Sequence, residues 1–125
     1  MSIRTERVAR LLQREIAGVL QTAFSERIPC MYTVTNVRVT RDLGIAYVDV
    51  SIYEQDIEER RAAFRHFTDL TAEIRSALAR RIRHQLRAVP DIRFFLDEAM
   101  HESKRMDEIF EKIRAEREHR EAGLQ

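Results

Sequence analysis

Apolar residues recur at helical spacing in the first part of the chain and predict a helix from Ser2 to about Thr22. Successive residues of a helix are rotated by about 100°, so residues three or four apart share a face. The predicted apolar face consists of Val8, Leu12, Ile16 and Val19. The opposite side, within about a third of the circumference, carries Arg4, Arg7, Arg10 and Arg14.

Alternating and β-branched residues predict a hairpin after this helix and a loop over residues 24–30. Residues 31–40 form the first strand and residues 45–52 the second, each with apolar side chains at every other position. Asp42 and Gly44 are turn formers in the connection between them. The alternation predicts a sheet with one buried and one exposed face.

A long helical segment follows residues 53–56, and its apolar positions fall on two stripes. One stripe comprises Ala63, Phe67, Leu70, Ile74 and Ala77, and the other comprises Leu78, Ile82, Leu86 and Val89. The second stripe is rotated by roughly 90° from the first, so a straight helix could not bury both against one surface. We therefore predict a kink close to Ser76–Ala77. Pro90 ends the helix, because the residue before a proline is pushed out of the helical region.

The last part of the chain predicts a third strand and a final helix. The strand spans residues 91–97 with Ile92, Phe94 and Leu96 inward, and the helix starts near residues 98–103. One apolar stripe marks this helix: Met106, Ile109, Phe110 and Ile113. The apolar residues stop at Arg114, which predicts a folded domain over residues 4–113 and a charged, frayed or disordered tail within 114–125.

Three strands with helices on one face predict a two-layer α+β domain, in the order α-β-β-α-kink-α-β-α.

The chain has 125 residues, of which 44% are hydrophobic and 34% charged, as expected for one folded domain. Its single cysteine, Cys30, excludes an internal disulfide and a multi-cysteine zinc site. No apolar run is long enough for a bilayer, and a signal core is missing, so we expect a reduced, cytoplasmic setting.

Charge is unevenly placed although the net charge is only +1. The segment from Arg75 to Arg93 contains one acid, Asp91. The strongest RNA-binding candidates lie within it: Arg80, Arg81, Arg83, His84 and Arg87. Arginine pairs bidentately with phosphate and stacks on exposed bases. RNA contact is favoured over the alternative, a solvated helix face, because acids are scarce nearby.

The arginine stripe of the first helix is a second RNA-binding candidate, and here neighbouring acids such as Glu6 leave both interpretations open. The four histidines are scattered without the spacing of metal ligands, and the paired acids have no nucleophile or pocket motif beside them. The sequence therefore predicts neither an enzyme nor a cofactor. Aromatic side chains such as Tyr47 and Phe95 could stack on bases, although packing against a terminal helix is favoured.

Several short stretches follow one another along the chain in a characteristic order. They are Arg7–Ala17, Val34–Leu43, Ala46–Ser51, Ile74–Ala79, Val89–Phe94, Leu96–Glu98 and Arg105–Ile109. No single stretch is diagnostic, but their order and spacing from about Arg4 to Ile113 resemble bacterial ribosome-binding factor A.

This resemblance implies a KH-like domain of type II topology without the Gly-x-x-Gly loop, in which an interhelical kink at an alanine replaces that loop. The chain has no glycine between Gly44 and Gly123. The resemblance also implies a non-enzymatic assembly factor that binds the immature small ribosomal subunit and its rRNA. It implies assistance with 5′-end maturation of 16S rRNA, a role in cold adaptation, a monomeric state and a link to assembly GTPases.

Two rival interpretations remain open at the level of the sequence. The first is a small ribonuclease or nucleotide hydrolase, which would need a glycine-rich phosphate loop or a metal constellation that the sequence does not display. The second is a generic KH-like RNA-binding or protein-interaction module that is not tied to ribosome assembly.

Overall fold

The computed structural model describes residues 2–123, which form four helices and one three-stranded sheet. The helices are α1 (Ile3–Ala23), α2 (Ile57–Asp69), α3 (Thr71–Ile82) and α4 (Ala99–Gly123), and the strands are β1 (Tyr32–Val39), β2 (Ile45–Ile52) and β3 (Asp91–Leu96). The predicted α+β class and the order of elements are confirmed.

The core lies between the sheet and a layer made of α1, α2 and α3. On α1 the predicted apolar stripe is buried, and the Ser2 hydroxyl caps the helix by accepting a 3.2 Å hydrogen bond from the N–H of Thr5. Phe67 of α2 is fully buried at the centre, where its ring packs against Tyr32 and Phe94. One buried and one open face of the sheet result, as the alternation predicted.

β2 is the central strand of the sheet. β1 pairs with it antiparallel, with an irregularity between Val34 and Asn36, and β3 pairs with it parallel. The parallel connection from β2 to β3 passes through α2 and α3. This topology is the KH-like type II arrangement, and residues 45–122 contain no glycine from which a Gly-x-x-Gly loop could be built.

The predicted position of the helix break is wrong. The chain changes helix at Leu70, and α3 runs continuously through Ser76 and Ala77. The Thr71 hydroxyl donates to the carbonyls of Phe67 and Thr68, each at 3.0 Å. Hydroxyls that bond to preceding carbonyls bend or end helices, and this local signal identifies the break better than the apolar stripes do.

The helix after the break is also shorter than predicted, because α3 ends at Ile82. Residues 83–90 form a turn and a loop, and Arg75 holds this loop by donating to the carbonyls of Val89 at 2.8 Å and Pro90 at 3.1 Å. Arg83, His84 and Arg87 therefore do not share a helix face with Arg80. Folding of the loop against α3 brings the start of β3 beside Gly44, whose carbonyl accepts from the N–H of Asp91.

The predicted tail is helical as far as Gly123, and residues 124 and 125 lie outside the described part of the chain. Residues 114–123 are rich in Ala, Glu and Arg, which have high helix propensity. Pairs such as Glu111–Arg114, at 3.0 Å, add local support. The apolar stripe of α4 is nevertheless exposed, and no residue of this helix is buried.

A buried arginine clamps the start of α2 to the end of the sheet. The guanidinium of Arg60 donates to both carboxylate oxygens of Glu98, at 3.1 and 2.6 Å, and to the carbonyls of Glu54 and Gln55. The hydrogen bonding of Arg60 to the Glu98 carboxylate lowers the pKa of Glu98 below its ordinary value. The clamp joins residues 54–60 to Glu98, which lies 38 residues beyond Arg60 in the sequence.

Asp97 orients the start of α4. Its carboxylate accepts a 3.0 Å hydrogen bond from the N–H of Ala99 and a 2.7 Å bond from the Thr35 hydroxyl, and these bonds lower its pKa. We expect Asp97→Ala to lower the free energy of unfolding by about 1 kcal/mol, as for other lost helix caps. Urea denaturation with Asp97→Asn as the control tests this, since the amide oxygen can still accept. Equal losses in both variants would contradict a capping role.

Candidate nucleic-acid interface

A groove of about 290 Å³ lies between α3 and the loop over residues 83–90. Its lining includes Arg75, Ser76, Arg83, Arg87 and Val89. The guanidinium of Arg75 is occupied by the loop carbonyls, whereas Arg83 and Arg87 have no carboxylate within 4.0 Å in residues 2–123. Two exposed cations therefore flank a concave surface with an apolar floor.

A second groove, of about 440 Å³, runs along the other side of α3 and contains Arg80. Its rim is set by an ion pair between Arg27 and Glu73, and Arg27 also lies 5.5 Å from the centre of the Phe24 ring. The hydrogen bond from Arg27 lowers the pKa of Glu73, so this acid stays ionised and paired. Arg80 has no carboxylate within 4.0 Å among the described residues.

A ridge of small side chains on α3 separates the two grooves. Ser76 lines both of them, with Ala72 and Ala77 on one side and Ala79 on the other. Small side chains let a ligand backbone approach a helix closely, and the arginines on either side supply cations for its phosphates. This ridge, together with Arg80 on α3 and with Arg83 and Arg87 in the loop after it, forms one surface. We name this surface the α3 basic face.

Arg81 differs from its neighbours because it holds α3 against α1. Its Nε donates to Oε2 of Glu15 at 2.5 Å, and its guanidinium lies over Gly18, where an added Cβ would come within 2.8 Å of it. Gly18 therefore allows the close approach of α3 to α1. The same Glu15 also pairs with Arg14 at 3.5 Å. Arg81 and Arg14 thus have structural partners that the sequence did not reveal.

The remaining arginines of the α1 stripe are exposed. Arg4, Arg7 and Arg10 project from the side of α1 opposite the core, as predicted. Arg14 and Arg81 flank Glu15, so the stripe meets the C-terminal end of α3, and Arg4 lies about 15 Å along α1 from Arg14. The two predicted RNA-binding clusters are therefore adjacent on the helical layer.

The open face of the sheet carries Tyr47 and Phe95, whose ring centres are 5.8 Å apart. Arg38 lies 5.5 Å from the centre of the Tyr47 ring and 4.0 Å from Asp49. The two rings pack on each other, and Phe95 remains 47% exposed. Acids and cations alternate on this face, so its field is weaker than that of the α3 basic face.

The described residues 2–123 contain no group of three or more potential metal ligands. Within the same range, none of the helices is apolar over a stretch sufficient to cross a bilayer. Cys30 is a free, half-buried thiol, and burial raises its pKa. Its chemistry is therefore that of a packed apolar side chain.

Comparison with known proteins identifies the family. The model of the family described as Ribosome-binding factor A matches residues 4–110. The chain belongs to the ribosome-binding factor A family. The ribosome-binding factor A of Chlorobium luteolum is 41% identical over 114 residues, which cover 91% of this chain and 94% of the relative. That of Chlorobium phaeobacteroides is 42% identical over 107 residues, which cover 86% and 90% of the two chains.

Solved structures of ribosome-binding factor A share the fold. The crystal structure of the Thermus thermophilus protein gives a TM-score of 0.60 at 24% identity and covers 74% of this chain and 94% of that one. A homology model of the Thermus thermophilus protein, fitted into the cryo-EM map of a 30S–RbfA complex, gives a TM-score of 0.54 at 26% identity. It covers 72% of this chain and 91% of that one. The expected membership of this family of ribosome-binding factors is thus confirmed.

Proposed function

We propose that this ribosome-binding factor binds the immature 30S subunit by placing the α3 basic face on the phosphate backbone of 16S rRNA. The observation that carries the proposal is the position of Arg80, Arg83 and Arg87 around a ridge of small side chains. Cations that lack carboxylate partners are available to phosphates without first breaking an ion pair. A relative fitted into a 30S complex supports the choice of the small subunit as the partner.

The adjacent stripe on α1, Arg4, Arg7 and Arg10, extends the proposed surface. Arg14 and Arg81 contribute less in this proposal, because Glu15 already neutralises part of their charge. His84 lies in the turn after α3, beside the cations, and would contact RNA by stacking on an exposed base. Shape and backbone charge are then the basis of recognition, and base identity is secondary.

The finer role that we propose is assembly without catalysis. One copy of the protein would hold an immature conformation of the subunit, assist maturation of the 5′ end of 16S rRNA and act together with assembly GTPases in the cytoplasm. Such a role would matter most in the cold, when misfolded RNA structures rearrange slowly. No bound cofactor is needed for it.

Sucrose-gradient sedimentation of a lysate at several salt concentrations tests the proposal, with the protein traced by immunoblot. We expect co-migration with free 30S subunits and not with full ribosomes, lost steeply as salt rises. In a strain depleted of the protein, 16S rRNA with an unprocessed 5′ end should accumulate, more so at low temperature. Migration only at the top of the gradient at low salt would contradict the proposal.

Ser76 provides a test of close approach that changes no charge. We expect Ser76→Trp to weaken 30S binding about tenfold, equivalent to about 1.4 kcal/mol, because the indole would hold the phosphates away from the arginines. Ser76→Ala should bind like the natural protein. Since Ser76 is exposed, thermal stability should be unchanged in both variants. Unaltered binding by Ser76→Trp would show that RNA does not lie on this ridge.

A further inference from the structure

One cation of the groove that contains Arg80 is paired with an acid. Arg27 lies in the loop between α1 and β1, and its Nη1 forms an ion pair with Oε2 of Glu73, in the first turn of α3. The two side chains are 50% and 56% exposed. The pair lines the groove of about 440 Å³ together with Arg80 and with Ser76 of the ridge. The lining of this groove therefore includes two arginines and one glutamate.

The fold of the loop places the Arg27 guanidinium at the rim of the groove. Its central carbon lies 5.5 Å from the centre of the Phe24 ring, and the N–H groups of Arg27 and Ile28 each donate to the carbonyl of Phe24 at 3.0 Å. Phe24 and Ile28 are buried in the core. Because contact with an aromatic ring already restricts the arginine side chain, it has less conformational entropy to lose when it binds a ligand. The position of Arg27 thus depends on the core as well as on Glu73.

Glu73 and Arg80 lie on the same side of α3. They are seven residues apart, which corresponds to two turns and about 10 Å along the helix. Since Arg27 reaches Glu73 at the rim of the groove, a stretch of RNA backbone that contacts Arg80 can also reach Arg27. A phosphate at this point would compete with the Glu73 carboxylate, because a guanidinium binds both groups through the same forked set of donors.

A phosphate can displace Glu73 at little cost, because the ion pair is exposed. An exposed pair of an arginine and a carboxylate changes an equilibrium constant by at most about fivefold. The Glu73 carboxylate returns to water when it loses its partner, so no unpaired charge is buried. The phosphate, in contrast, is held in place by the other contacts of its strand with the α3 basic face.

We propose that Arg27 is a further contact for the rRNA backbone and that Glu73 controls its availability. The carboxylate pairs with Arg27 in the free protein and is replaced by a phosphate on the 30S subunit. This inference rests on the proposed function, because it extends the α3 basic face across the groove to the loop between α1 and β1. Glu73 then opposes the binding of any polyanion that does not bring a phosphate to this point, which makes it a determinant of selectivity.

Pelleting with purified 30S subunits at several salt concentrations tests both roles. Arg27→Gln should weaken binding about fivefold and reduce the slope of log affinity against log salt by about one. Arg27→Lys should retain the slope, because it keeps the charge. Glu73→Gln should strengthen binding up to about fivefold, whereas loss of a purely structural ion pair would not strengthen it. Weaker or unchanged binding by Glu73→Gln would overturn its role as a competitor.

A double-mutant cycle separates competition from general repulsion. If Glu73 competes for Arg27, Glu73→Gln should strengthen binding about fivefold when Arg27 is present and only about twofold in the Arg27→Gln background. Equal gains in the two backgrounds would mean that the carboxylate acts only through its general field, and they would overturn the exchange of partners.

The matched control is the exposed ion pair of Arg61 and Glu58 on α2, in which Nη1 and Oε1 are 3.6 Å apart. Arg61→Gln and Glu58→Gln make the same changes in charge outside the lining of the groove, and each should alter the affinity by less than about twofold. Effects as large as those of the Arg27 and Glu73 variants would show that net charge governs binding and would overturn the inference.

The outcomes distinguish this inference from the proposed function. Suppose that the natural protein binds and that glutamate at Arg80, Arg83 and Arg87 abolishes binding, but that Arg27→Gln binds as tightly as the natural protein with the same salt slope. The proposed function then stands and the inference about Arg27 is overturned. If the natural protein did not bind 30S subunits, both would be overturned.

Discussion

Replacement of Arg80, Arg83 and Arg87 together by glutamate should weaken binding to the 30S subunit by at least about 100-fold. Each lost phosphate contact should reduce the slope of log affinity against log salt by about one. The three side chains are exposed and have no ion-pair partner in residues 2–123, so the free energy of unfolding should change little. Pelleting with purified subunits at several salt concentrations measures both the affinity and the slope.

A matched control separates this local effect from the change in net charge. Arg38, Arg65 and Arg93 are exposed arginines of α2 and the open sheet face, and glutamate at all three gives the same change in net charge. We expect this control to retain most of the binding. Equal losses in the two triple variants would show that the overall charge of the protein, and not the α3 basic face, governs the interaction.

The second large effect should come from the buried clamp between Arg60 and Glu98. The Arg60 side chain is only 5% exposed and Glu98 is 28% exposed. Removing one partner of a buried ion pair leaves the other charge uncompensated, which costs about 3 kcal/mol or more. We therefore expect Glu98→Ala to lower the free energy of unfolding by about 3 kcal/mol, measured by urea denaturation near neutral pH.

The same pair predicts a dependence of stability on pH. The pKa of Glu98 is lower in the folded protein than in the unfolded chain. The stabilisation is therefore present above the ordinary glutamate pKa, and it is lost as the pH falls through the lowered value. A double variant, Arg60→Met with Glu98→Leu, should recover part of the stability at neutral pH and lose this acid sensitivity. If the double variant were as acid-sensitive as the natural protein, other carboxylates would be responsible.

The sequence correctly predicted the elements in which apolar residues repeat at a regular period over many positions. α1 and the strands repeat their apolar residues at one clear period, and the structure places them within a few residues of their predicted ends. The helix break was predicted at the wrong position, because Leu86 and Val89 were assigned to a helix that in fact ends at Ile82. These two residues instead cover the core from the loop.

The roles of individual arginines could not be predicted, because they depend on contacts between distant segments. Arg60, Arg75, Arg81 and Arg83 look alike in the sequence. The fold brings Arg60 to Glu98, Arg75 to two loop carbonyls and Arg81 to Glu15, and it leaves Arg83 exposed in a groove.

The absence of glycine from the break at Leu70 affects how the protein can meet its ligand. Packed side chains and the hydroxyl of Thr71 fix the angle between α2 and α3, whereas a glycine-rich loop would sample many conformations. A surface that is already ordered loses little conformational entropy on binding and needs no slow rearrangement. The rate of encounter with RNA should then follow diffusion and electrostatic attraction, and should slow on cooling only as much as the viscosity of water rises.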